Sequence, residues 1–397
     1  MRNRFSPSHR LTALVCGALG VALAAAFMGV RSGVDDEVAR AGEPRPARDV
    51  TPALDPWGAP DAYTQSVILY HHFETLGVED GLPSERITSV IAEGDDLYVG
   101  TDAGLAIRRG GVWSVLSEES GLAHRYVTAV ARDAATDTTW VATLRGISRV
   151  SGGDVRTYTQ LSSGLINDVV YHILVDGDLV WCATAAGTSV LDTRSGSWTL
   201  YNHENSIMHE PWCYAIATGP QRTWVALWGG GIVELDRRDG GWREYRDPDG
   251  EMELDLLADD GPIHEVTSFI AYDQGLLWQA TYFGMARFDG RRWRSFTQAE
   301  SGLPGDFVAH IASRGDACWI GSDEGFGVLR GDTCVSYSRQ PDGTCTVTIV
   351  TDGEVTGTRT LATAPGDDYV LWIYPRESDV WIATGHGLTH GTATQDK

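Results

Sequence analysis

The sequence predicts an all-β fold, a seven-bladed β-propeller of four-stranded antiparallel blades whose last blade is closed by an N-terminal strand, and three observations carry that reading. The stretch from Gly81 to Leu116, GLPSERITSVIAEGDDLYVGTDAGLAIRRGGVWSVL, holds four short β-type runs separated by Gly and Asp turns. Its aromatic residue before a small-residue triplet returns as Tyr98, Trp140, Trp181, Trp224, Trp278, Trp319 and Trp381, at intervals of 42, 41, 43, 54, 41 and 62 residues. A period near 40 that carries four strands marks a propeller blade rather than a sandwich, and the two long intervals read as a blade plus an insertion. The third observation is a stray strand near the start that matches three strands left over at the end.

Composition sets the outer bounds. The 397 residues, 42% of them hydrophobic, are ample for one such ring. A formal net charge of −23 argues against nucleic acid or anionic lipid as a partner, because both would repel it. The 14 Trp follow mostly from the repeat, in which each blade sets one or two aromatics against its neighbour, so most are expected in the core.

Taken in order, residues 1–10 carry Arg2, Arg4 and Arg10 and no acid, and residues 11–30 form an uncharged, mainly apolar run. That pattern is a secretion signal, and its length also reaches the roughly 20 residues a membrane helix needs, so a cleaved signal and an uncleaved anchor both stay open. Cys16 lies inside the apolar run, which speaks against lipoprotein processing. With the basic end left in the cytoplasm, the remainder is exported, periplasmic or at the cell surface, and touches membrane only if the segment is uncleaved. Residues 31–65, with Pro44, Pro46, Pro52, Pro56 and Pro60, read as an extended tether. The propeller is expected over 66–391, with a short tail at 392–397.

The stray strand is the run from Ser66 to Leu76. Phe73 and Leu76 stand three apart, as do Trp113 and Leu116, Trp198 and Tyr201, Trp242 and Tyr245, and Trp293 and Phe296 at the ends of blades. At the far end, Tyr369 to Tyr374, Val380 to Thr384 and Leu388 to His390 supply only three strands. The N-terminal strand is therefore expected to complete the final blade and leave no open edge in the ring. Runs such as Val169 to Val175 are mainly apolar without alternation, as strands buried on both faces should be.

At Gly-Leu-Pro-x-x-x-Ile from Gly81, its relatives at Gly121, Gly164 and Gly302, and the aromatic-[Val/Ile]-[Gly/Ala]-Thr that precedes Gly-[Leu/Ile], the chain resembles the two-component-regulator propeller repeat, the blade of periplasmic sensor regions of hybrid histidine kinases. The resemblance covers about residues 67–391. It implies a propeller that looks outward and senses a ligand ahead of a signalling domain; with the sequence ending at Lys397, no such output domain is expected here.

Two insertions lengthen outer-to-inner-strand connections: Arg246 to Gly261 between blades four and five, and Gln340 to Asp368 between blades six and seven. The second carries a hairpin signal, Thr344 to Val350 and Glu354 to Leu361 about Asp352-Gly353. Both are expected on one rim, which marks the working face. Of the five cysteines past the leader, Cys334 with Cys345 is the preferred disulfide and Cys182 facing Cys213 is conceivable; small buried hydrophobes are an equal alternative.

The same connections hold a short polar cluster before each innermost strand: Ser84-Glu85-Arg86, His124-Arg125-Tyr126, Asn167-Asp168-Val169, His209-Glu210-Pro211, His264-Glu265-Val266 and Gly305-Asp306-Phe307. The turns after the second strands open on the same face and add Asp102, Arg145, Trp228, Tyr282, Asp323 and His386. Three readings compete. Rim polar residues can simply cap strands. Alternatively His124, Arg125, Tyr126, His209, Glu210, Trp228, His264, Glu265 and Tyr282 form a mouth for a small polar, sugar-like ligand or a protein partner, aromatics stacking on it and acids accepting its hydroxyls. Or His209, Glu210, His264 and Glu265 hold a divalent transition ion.

Cysteine and histidine spacing gives no zinc pattern, Asp247-Pro-Asp249-Gly250 lacks the later ligands of a calcium loop, and no nucleophile elbow or cofactor fingerprint is present. No cofactor is predicted beyond that divalent metal. The sequence thus reads as a monomeric, non-catalytic recognition propeller binding at the channel mouth, with a metal-dependent lyase or hydrolase at the same mouth as the alternative.

Overall fold

The computed structural model describes residues 67–247 and 261–393. Seven antiparallel sheets make up the ring. Blade one contains β2 (Ile87–Glu93), β3 (Asp96–Thr101), β4 (Gly104–Arg109) and β5 (Val112–Leu116). Blade two contains β6 (Val127–Asp133) to β9 (Asp154–Tyr158), blade three β10 (Val170–Asp176) to β13 (Trp198–Tyr201), and blade four β14 (Cys213–Thr218) to β17 (Trp242–Tyr245). Blade five runs from β18 (Thr267–Asp273) to β21 (Trp293–Phe296), and blade six from β22 (Val308–Arg314) to β25 (Thr333–Arg339).

Blade seven is the closure. Its inner strands β28 (Val370–Pro375), β29 (Asp379–Thr384) and β30 (Gly387–Ala393) are joined by β1 (Tyr70–Leu76), with Phe73 opposite Gly391 and Leu76 opposite Leu388. Tyr70 fastens the joint from within. Its hydroxyl lies 2.8 Å from Trp319 Nε1, which donates to it, and its backbone N–H donates to the Tyr337 hydroxyl at 2.8 Å.

The hydrophobic core is seven cores, one between each pair of adjacent blades. The repeat aromatics, Tyr98 and the six tryptophans that follow it at the blade period, are all buried there. An apolar strand with neighbours on both faces gains more from burial than from alternation, which is why the strands read as continuous runs.

The second insertion forms the hairpin its turn signal predicts. Its strands are β26 (Cys345–Thr351) and β27 (Glu354–Leu361), and β26 pairs along β25, so blade six is extended sideways into a six-stranded sheet. Of the first insertion, residues 248–260 lie outside the described residues, as do the apolar run 11–30, the tether to residue 66 and residues 394–397. Among the described residues no helix is long and apolar enough to cross a membrane.

The five described cysteines are free and buried. Cys334 stands opposite Val350 and Cys345 opposite Arg339, so the two occupy far ends of one ladder and the expected bridge does not form. Cys182 and Cys213 are likewise unbridged.

Candidate functional site

Every innermost strand opens with a β-bulge between its first and third residues, in all seven blades. A bulge adds one residue and re-aims the side chains around it, here toward the central axis. The three residues ahead of each bulge then take fixed roles.

The first caps the strand. Ser84 Oγ, His124 Nδ1, Asn167 Oδ1 and His264 Nδ1 accept the backbone N–H two residues on, at 3.0, 3.1, 2.8 and 2.9 Å. The second ties two connections together. The carbonyls of Glu85, Asp168, Glu265 and Asp306 accept from the glycine N–H that opens the third strand of the preceding blade, at 2.6 to 2.8 Å. Its side chain often turns back, as Glu85 Oε1 does to Val78 N–H and Asp168 Oδ1 to Gln160 N–H. The third faces the mouth, and around the ring it reads Arg86, Tyr126, Val169, Trp212, Val266, Phe307 and Tyr369.

This register corrects the sequence alignment in blade four. The strand begins at Cys213, so Glu210 stands in the capping place and His209 lies one residue outside it. His209 Nδ1 sits 2.9 Å from Glu244 Oε1 instead, and Glu265 Oε1 accepts from Arg246 Nε at 2.9 Å. The His264 ring packs on Phe283, centroids 4.5 Å apart. His209, Glu210, His264 and Glu265 share one face of the ring, yet each histidine and Glu265 is committed to a different partner. Among the described residues no group of three or more His, Cys, Asp or Glu side chains is placed to hold a metal ion. Burial pushes the Glu210 carboxyl up, with His209 pulling the other way. Arg125 is exposed, and its backbone N–H donates to Glu118.

The aromatic members of the expected site are brought together, with others that the sequence reading missed. Tyr171 stacks on Tyr214 at 4.7 Å, Tyr214 on Trp228 at 5.0 Å, Trp228 meets Tyr282 edge-on at 5.2 Å, and Tyr282 stacks on Phe307 at 4.0 Å. This arc spans blades three to six, and every ring in it is partly exposed. Phe307 lies 6.4 Å from Tyr369. Tyr369, Arg86 and Tyr126 continue the circuit: Arg86 hydrogen-bonds the Tyr126 phenol, and Asp102 and Asp323 add negative charge nearby. Burial pushes the phenols of Tyr126, Tyr214, Tyr282 and Tyr369 up, so all remain protonated donors at neutral pH. The Nε of Arg86 is buried without a partner.

Tyr171 and Tyr214 had a legible signal, since each is the second residue of its innermost strand, where Thr88, Thr128 and Ser268 stand elsewhere. The third residue of that strand points into the channel and reads Ser89, Ala129, His172, Ala215, Phe269, His310 and Trp372. Its four rings plug the axis. His310 lies 4.1 Å from both Phe269 and Trp372, and His172 lies 5.0 Å from Phe269. Each imidazole is pinned through Nδ1, which accepts the backbone N–H of Ile216 (His172) or Ile373 (His310), both at 3.2 Å.

No family model matches the sequence, and no curated protein does either. Solved structures do. The extracellular domain of the hybrid two-component system BT3049 from B. thetaiotaomicron superposes with TM-score 0.61 at 18% identity over 81% of this chain. That of BT4673 from the same organism gives 0.57 at 13% over 81%. The chain spans 42% and 40% of those two structures. Virginiamycin B lyase from Staphylococcus aureus, in an inactive form with quinupristin, gives 0.59 at 13%, covering 81% of this chain and 99% of the lyase. At such identities these likenesses establish the propeller fold, and the extracellular domains of two-component systems among them agree with the repeat resemblance.

Proposed function

We propose that this chain is an exported, non-catalytic recognition module that binds a small polar, sugar-like ligand at the channel mouth. The observation that supports it is the partly exposed run of rings from Tyr171 through Tyr214, Trp228 and Tyr282 to Phe307. Blade packing does not require these rings, because blades one and two build the same positions from Thr88, Thr128, Asp102 and Leu144. Aromatic faces stack on the C–H faces of a sugar. Around them Arg86, the Tyr126 and Tyr369 hydroxyls, Asp323 and Glu210 offer donors and acceptors for its hydroxyls, a pattern of apolar wall with a few convergent polar groups. Export is supported by the basic-then-apolar N-terminus and by the likeness to extracellular domains of two-component systems.

A glycan array with purified protein tests the reading. A saccharide should bind, and Trp228→Ala and Tyr282→Ala should each weaken it by about tenfold or more, since central aromatics carry most of such an interface. An empty array, or unchanged binding in both variants, sinks it. A stoichiometric divalent metal lost on His209→Ala and His264→Ala would replace it with the metal-dependent enzyme.

A further inference from the structure

The mouth is divided by charge. Its arginines, Arg86, Arg125 and Arg145, stand on blades one and two. Along the aromatic arc, on blades three to six, the residues just ahead of the innermost strands and in the turns after the second strands include no arginine or lysine, but they do include Asp168, Glu210, Glu265, Asp306, Asp323 and Glu324. Four of these carboxylates are spent within the protein. Asp168 and Asp306 accept the backbone N–H groups of Gln160 and Gln298, Glu324 accepts from the Gln298 side chain, and Glu265 pairs with Arg246. Neither Glu210 nor Asp323 forms an ion pair with an arginine among the described residues. These two bracket the arc. Trp212, two residues after Glu210, accepts the Trp228 backbone N–H at 3.0 Å, and the Phe307 carbonyl accepts that of Asp323 at 3.2 Å.

The rings of the arc lack cations too. Elsewhere the chain covers its own ring faces: Arg132 lies 4.2 Å from the Tyr98 centroid, Arg156 4.9 Å from that of Tyr158, Arg287 5.4 Å from that of Trp278 and Arg108 5.6 Å from that of Trp113. Among the described residues no arginine lies over Tyr171, Tyr214, Trp228, Tyr282 or Phe307. An aromatic face is the negative part of its ring and attracts a cation within about 6 Å. Burial pushes the Asp323 and Glu210 carboxyls up, and Glu324 and Asp306 push Asp323 further, a cost that a bound cation would relieve. Two carboxylates at the ends of an aromatic wall suit an organic cation, whereas a metal ion needs several oxygens at one point.

We propose that the ligand of the mouth carries a protonated amine, as an amino saccharide does, with its ammonium over the ring faces between Trp228 and Phe307 and with Glu210 and Asp323 as its counterions. This rests on the reading of the mouth as a saccharide site and adds the charge of the ligand to it. The net charge of −23 favours the approach of such a cation from solution.

The glucosamine tetramer and cellotetraose, which differ at carbon 2 by an ammonium against a hydroxyl, are the probes, titrated by calorimetry at pH 6, where sugar amines are protonated. The glucosamine tetramer should bind about tenfold more tightly or better, the size of a cation held by ring faces and carboxylates. Its N-acetylated form, in which the amines are capped, should bind like cellotetraose, and this comparison uses only the unmodified protein. High salt should remove most of the advantage while cellotetraose binding stays as it is. Asp323→Asn combined with Glu210→Gln should bring the two tetramers toward parity by weakening the amine alone, whereas Trp228→Ala should weaken both. Equal affinities, or an advantage that survives both salt and the double variant, would overturn the amine and leave the mouth a neutral-saccharide site. Failure of the glucosamine tetramer to bind would also overturn it, and the glycan array with Trp228→Ala then judges the mouth on its own.

Discussion

His124 and His264 show how one side chain can suggest chemistry and perform architecture. Each spends Nδ1 on a backbone N–H at the entry to an innermost strand, the role Asn167 fills in blade three and Ser84 in blade one. His264→Ala should therefore cost about 1 kcal/mol in urea unfolding, while His264→Asn should restore most of it; an alanine variant as stable as the parent would refute the capping role. His172 allows a pH prediction. Burial depresses it to about 4 from the ordinary 6.5, and His310 moves the same way by burial and by the neighbouring His172. Below pH 6.5 the unfolded chain takes up a proton that the folded chain refuses. Stability present in full above 6.5 should thus fall as pH drops toward 4, by on the order of 3 kcal/mol for His172 alone. Urea melts from pH 7.5 to 4 should show that slope, and His172→Phe should make it shallower, leaving the share of His310. At this scale the sequence displayed the residue types but not the register. The His-Glu pairs at 209 and 264 look equivalent, yet backbone hydrogen bonds set the start of β14 at Cys213 and move His209 out of the column.

Within the blade the decisive residue is glycine. Gly104, Gly146, Gly187, Gly231, Gly284 and Gly387 open third strands and Gly325 stands just before the one in blade six, all with positive φ, and a Cβ on Gly284 would collide with the carbonyl oxygen of Phe296 in β21. Gly284→Ala should cost on the order of 1–3 kcal/mol. Gly177→Ala, at φ +60 with open space around it, should cost about 1 kcal/mol or less, and thermal melts of the two compared side by side check the difference. The Gly-[Leu/Ile] pair that follows the aromatic triplet in the repeat thus has a steric cause. The hairpin of β26 and β27 was equally legible from its Asp352-Gly353 turn, because turn chemistry is local. Its direction was not. The unpaired edge of β25 recruits it, and that same pairing carries Cys334 and Cys345 to opposite ends of the ladder, where no disulfide can span them.

For the ring as a whole, β1 is the fastener. Removing residues 67–76 should expose the edge of β30 and strip Tyr70 and Phe73 from the joint between blades six and seven, both of which are buried there. Calorimetry should then show a broad or split transition in place of one, and gel filtration should show association through the open edge. A synthetic 67–76 peptide added in trans should restore the single transition by strand addition; an unaltered melt in the truncated chain would mean the ring does not depend on closure. Blade count, strand order and this fastening were all readable in the sequence, because each rests on local periodicity and turn residues repeated seven times. What the tertiary structure alone decided is which side chains meet at the axis. The mouth and the plug draw single residues from strands some 40 or more positions apart, and which of them face inward is set by a bulge of one residue in each innermost strand, a backbone shift with no composition of its own.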